Sequence, residues 1–171
     1  MLHMTKRFFF LPLLIIIIAF VFFFPYRHTL TFYYEDTDQM LAFLPVRELD
    51  SFKITYTHSI HLSEVSETFS IENDQLILTE LEYSDFAIGM PSNAEGNEVF
   101  EKRDGKYVIT NMERQFASID LRIGQVRADH QLVYNGIHYK LADKIGGGKW
   151  VRVVPERLSL WHQLKGVNIS E

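Results

Sequence analysis

The stretch from Thr55 to Phe69, TYTHSIHLSEVSETF, gathers two histidines, three serines and two glutamates. One chemistry these types support is acyl transfer, with His58 activating a serine and Glu64 or Glu67 as the third member. A nucleophile and its base must converge to about 3 Å, and neighbours on an extended strand point to opposite faces. His58 therefore cannot easily activate Ser59, and reaches Ser63 or Ser66 only if the chain turns. The chain also has no Gly-x-Ser-x-Gly elbow. A second chemistry is metal binding, because His58, His61, Glu64 and Glu67 recur every three residues. On a helix that spacing aligns ligands; on a strand it scatters them. His-x-x-His without a second spaced pair is a weak metal signal. The third reading is structural: His58, Ser59 and Glu67 as partly buried polar groups that satisfy one another and the backbone.

The elements around this stretch decide among these readings, and they speak in period two. Phe52, Ile54 and Tyr56 alternate with Lys53, Thr55 and Thr57, and Phe69 and Ile71 continue the pattern. QLILTELEY alternates less cleanly, and FASIDLRI sets Phe116, Ile119, Leu121 and Ile123 among polar partners. Turn residues separate such runs: Glu72-Asn73-Asp74, Asp104-Gly105 and Asn135-Gly136, the last two suited to two-residue hairpins. The pattern predicts a mainly β domain, an antiparallel sandwich or barrel of about ten short strands. GMPSNAEGNE, residues 89–98, reads as a long loop. PERLSLWHQLKG, from Pro155, is open to strand or helix. Gly146-Gly147-Gly148 before Lys149 lacks the Ser or Thr and the helix of a phosphate loop, and reads as a turn.

The front of the chain differs in kind. After Lys6-Arg7, an uncharged apolar run extends from Phe8 to Phe24 and closes with Pro25, Tyr26 and Arg27. With Pro25 and Tyr26 it reaches about 28 Å as a helix, close to the roughly 30 Å of a bilayer core. Phe22 to Tyr26 offer none of the small residues a signal peptidase needs. The expectation is one uncleaved N-terminal transmembrane helix in residues 1–28, with Lys6 and Arg7 cytoplasmic. Residues 29–171 then form an extracytoplasmic β-domain held at the cell membrane. Three of the 17 basic residues and none of the 22 acidic ones precede residue 29, so the remainder carries a formal charge of about −8. That balance argues against a nucleic-acid partner, which needs clustered Lys and Arg, and against lying flat on anionic lipid. With no cysteine there is no disulfide and no lipoprotein-type anchor. No cofactor is implied.

Four motifs carry a family resemblance. They are Phe52-x-Ile54-x-Tyr56-x-His58-Ser59-Ile60, Val65-x-Glu67-x-Phe69, Ser84-x-Phe86-x-x-Gly89-Met90-Pro91, and Leu121-Arg122-Ile123. Together they resemble an uncharacterised bacterial family of small exported or membrane-anchored proteins encoded beside TAXI-type TRAP transporters. Where those relatives carry Gly-Ala, this chain has Ala87-Ile88. The resemblance implies a setting next to a solute importer, not a mechanism. The expected function is an accessory binding or interaction module without enzymatic activity, with TRAP transporter components as partners. Its ligand or partner site is expected at His58, Ser59, Glu67, Gly89, Met90, Pro91 and Arg122. The alternative is a metal-dependent or Ser-based hydrolase using the same His58, Ser59 and Glu67 region.

Overall fold

The computed structural model describes residues 3–58, 62–85, 90–125 and 127–171, with side chains from Phe10 onward. It opens with helix α1 (His3–Phe23), which contains Pro12. The strands that follow are β1 (Arg27–Tyr34), β2 (Met40–Pro45), β3 (Ser51–Thr57), β4 (Glu64–Glu72), β5 (Gln75–Tyr83), β6 (Val99–Arg103), β7 (Lys106–Thr110), β8 (Arg114–Phe116), β9 (Ile119–Arg122), β10 (Gln131–Tyr134) and β11 (Ile137–Lys140). Helix α2 (Leu141–Ile145), strand β12 (Trp150–Leu158), helix α3 (Leu160–Gln163) and strand β13 (Val167–Asn168) complete the chain.

Two sheets pack face to face. One has the order β13-β2-β1-β12-β9, the other β11-β10-β3-β4-β5-β7-β6 with β8 also paired to β5. Leu30, Phe32 and Leu44 of the first sheet share one core with Phe52, Ile54, Phe69 and Ile109 of the second. The period-two residues of β3 enter that core: Phe52 and Ile54 are buried while Lys53 and Thr55 are only half-buried. The architecture is thus sandwich-like and mainly β, as the alternation predicts. It is mixed rather than purely antiparallel, since β13 runs parallel to β2, and the described residues form thirteen strands where about ten are expected.

The turn residues behave as their chemistry requires. Asn73 and Asp74, Asp104 and Gly105, and Asn135 and Gly136 all take positive φ between paired strands. Gly146 to Gly148 is a turn leading into β12, and residues 90–98 hold no strand or helix. The weak alternation of QLILTELEY has a cause: β5 carries one extra residue, Thr79, because Thr68 faces Glu80 while Phe69 faces Leu78.

Two readings change. FASIDLRI is not one strand: Phe116 ends β8 in the larger sheet, and Ile119 begins β9 in the smaller one. The chain crosses between layers there, and Phe116 stays 38% exposed. The PERLSLWHQLKG segment is both strand and helix. Pro155 lies inside β12 beyond Val153, the last residue paired to β9, where an open edge tolerates a missing N–H. The fully buried Ser159 then caps α3, its hydroxyl accepting from the His162 N–H at 3.2 Å.

Nearly all the large side chains of α1 from Phe10 onward are exposed. Among the described residues no helix is long and apolar enough to cross a membrane. The part of α1 with described side chains rises only about 21 Å. Phe22 and Phe23 of α1 rest against Trp161 of α3, with ring centroids at 5.9 and 6.0 Å.

Candidate functional site

The register of the larger sheet sets one carboxylate among hydrocarbons. Leu132 of β10 faces Ile54 of β3, Ile54 faces Glu67 of β4, Glu67 faces Leu81 of β5, and Leu81 faces Ile109 of β7. Residues directly opposite in an antiparallel ladder share a face, so Glu67 stands on the inner side of the sheet. The other four members of this row are buried. Glu67 is half-buried and has neither a hydrogen bond nor an ion pair among the described residues. Burial alone pushes its carboxyl above the ordinary range. Glu64 sits on the other face, where Lys106 holds it at 3.1 Å together with Glu82 at 2.6 Å. The Glu64–Glu67 part of the three-residue ladder is therefore split by the pleat, and His61 lies outside the described residues.

Tyr56, two residues beyond Ile54 on the same face, feels the charge of Glu67. Burial, and then the charge of Glu67, push its phenol up to about 12, so it remains a neutral donor. Its ring stacks on His130 with centroids 5.2 Å apart. His130 is 9% exposed, and its Nδ1 accepts the Gly124 N–H at 3.1 Å. The neutral ring therefore carries its proton on Nε2. Glycine is needed at 124, since a Cβ there would lie 2.6 Å from the Ala128 Cβ. The Thr57 N–H, donating to the Ala128 carbonyl at 2.9 Å, ties this segment to the end of β3.

Several sequence candidates gather at this end of the sheet. His58 follows β3, its N–H donating to Ser63 at 2.8 Å and its carbonyl accepting from Leu62 at 2.9 Å. Met90 packs against the core, and the Tyr83 hydroxyl donates to the Pro91 carbonyl. Tyr83 faces Val65, which faces Tyr56, so the 90–91 segment belongs to the same end. Ser59 and Gly89 lie outside the described residues. Glu67 is opposite Ile54, four residues short of His58, so about 13 Å of strand separates the two. They are not a hydrogen-bonded pair. Arg122 is directed away: it is exposed, and its guanidinium lies 5.7 Å over the ring of Trp150. The sequence reading missed Tyr56 and His130 as site residues, since a tyrosine in a strand pattern and an isolated histidine carry no motif.

The Ser159 hydroxyl and His162 Nδ1, at 2.9 Å, form a serine–histidine contact, but that serine is a fully buried helix cap. A cleft of about 790 Å³, lined by groups such as Thr68, Glu80, Thr110 and Asn111, contains none of the sequence candidates.

The buried histidine yields a pH prediction. Burial holds the His130 imidazole below its ordinary value, partly offset by the negative Asp129. The unfolded chain then takes up a proton near pH 6.5 before the folded one does. Stability is full above that pH and falls as the solution is acidified through the folded value. Chemical unfolding between pH 7 and pH 5 should show this fall, and His130→Gln should flatten it. An unchanged slope in the variant would move the effect to another group.

A family model described as a domain of unknown function, DUF1850, matches residues 52–141. No curated protein and no solved structure matches the chain.

Proposed function

This chain belongs to the DUF1850 family, and from that premise we propose that it is a membrane-anchored extracytoplasmic binding module, an accessory to a TRAP-type solute importer. One observation carries the binding role. An inward-facing, half-buried carboxylate, Glu67, sits in an apolar row with no hydrogen-bond or ion-pair partner among the described residues, and burial raises its carboxyl. A group left in that state is suited to a donor supplied from outside. The occupant is a segment of a partner protein that presents a basic side chain, complementing a domain of formal charge about −8. Tyr56 and His130 supply the aromatic wall beside it, and the Met90-Pro91 segment supplies the rim.

The anchor is α1. Its 21 residues would rise about 31 Å, matching the hydrocarbon thickness of a bilayer. No acidic residue occupies its first turn, and Lys6-Arg7 would remain on the cytoplasmic side. Tethering raises the effective concentration of the domain near other proteins of the same membrane.

A photo-crosslinker placed at the exposed Ser92, beside Pro91, tests the reading in native membranes that express the importer. Capture of a transporter component is expected. Recovery of abundant membrane proteins alone, with the importer present, would overturn it.

A further inference from the structure

Far from the Glu67 end, three segments bring metal-ligand side chains together. His28 is the second residue of β1, Glu48 lies in the β2–β3 connection, and Asp74 in the β4–β5 turn. The His28 Nδ1 is 3.5 Å from a Glu48 oxygen and 3.7 Å from an Asp74 oxygen, and all three donor atoms lie within 4.8 Å of one another. We propose that His28, Glu48 and Asp74 form a binding site for a divalent transition metal of the zinc type.

The separations carry the argument. Zinc bonds of about 2.0–2.2 Å in a tetrahedral arrangement place ligand atoms roughly 3.3–3.6 Å apart. The two histidine–carboxylate spacings already lie in or next to that range, and small side-chain rotations close the remaining gap. One imidazole nitrogen and two carboxylate oxygens suit a borderline cation better than calcium or magnesium, which prefer all-oxygen shells. Three protein ligands leave a fourth position for water or an exchangeable group.

Charge supports the same assignment. Among the described residues neither Glu48 nor Asp74 pairs with a lysine or arginine, so two carboxylates converge on one imidazole with no described basic side chain to neutralise them. The second oxygen of Glu48 accepts the Asn73 N–H at 2.6 Å, which fixes the carboxylate so that its free oxygen faces His28. Outer contacts of this kind orient metal ligands. The site does not depend on the binding role of Glu67, because it occupies the opposite end of β4.

The test uses the full chain in detergent, stripped with a chelator and titrated calorimetrically with zinc alone. One zinc per chain is expected, with a melting temperature that rises with zinc concentration. His28→Ala should weaken binding at least tenfold. Asp74→Asn should do the same while preserving the turn, since asparagine also accepts the positive φ found there. His138→Ala, an exposed histidine elsewhere, should leave binding unchanged. No zinc-dependent shift in the wild type would overturn the proposal. So would stoichiometric binding that survives both His28→Ala and Asp74→Asn.

Discussion

Truncating Phe69 to alanine is expected to remove about 4 kcal/mol of unfolding free energy, in the range measured for buried phenylalanines. Phe69 is 2% exposed at the centre of β4 and stacks on Phe52 of β3, with ring centroids 5.4 Å apart. The cut loses the transfer free energy of the ring and leaves a cavity. It also leaves Phe52 without its stacking partner, worth a further ~0.5–1.5 kcal/mol. Against a total stability of about 5–15 kcal/mol the fold becomes marginal, and the melting temperature should drop by roughly 10 °C. Phe116→Ala is the control of matched chemistry. Its ring is 38% exposed where the chain leaves the larger sheet, so it should cost less than about 1 kcal/mol. Equal effects in urea titrations of the two variants would mean that β4 does not lie at the centre of the core.

The contrast between these two phenylalanines shows what the sequence can convey. Local chemistry was legible wherever it was sufficient. Asp104-Gly105 and Asn135-Gly136 announced hairpins because few other residues accept their positive φ, and Phe52-x-Ile54-x-Tyr56 announced a half-buried strand. Phe116 looked like the start of a strand through Ile123, because period two says nothing about which sheet a residue joins. Thr79 hid a bulge for a related reason: an extra residue disturbs alternation without revealing its partner. The site was legible only in part. Glu67 was singled out, but its place between Ile54 and Leu81 follows from register across three strands. His130, and the convergence of His28 with Glu48 and Asp74, follow from pairings between distant segments. None of these is written in spacing along the chain.

Replacing Glu67 with leucine should stabilise the domain by about 1–2 kcal/mol at pH 7, against the usual tendency of substitutions to destabilise. The physical reason is the row Leu132, Ile54, Glu67, Leu81, Ile109, which would become apolar throughout with a side chain of similar volume. The gain depends on pH. Burial raises the Glu67 carboxyl above its value in the unfolded chain, so between the two values the folded state holds a proton that the unfolded state has lost. Stability then falls as pH rises through that window. Below about pH 4.5 both states are protonated, and the advantage of leucine should shrink. Unfolding titrations of the wild type and Glu67→Leu at pH 4 and pH 7 separate these outcomes, and Glu67→Gln should flatten the slope while keeping the polarity. A leucine variant destabilised by more than about 1 kcal/mol at both pH values would mean that the carboxylate is satisfied in the fold. A folded and stabilised variant that still crosslinks to the importer would remove Glu67 from recognition. A stabilised variant that loses the crosslink would identify a group retained at the expense of stability, as expected of a binding site.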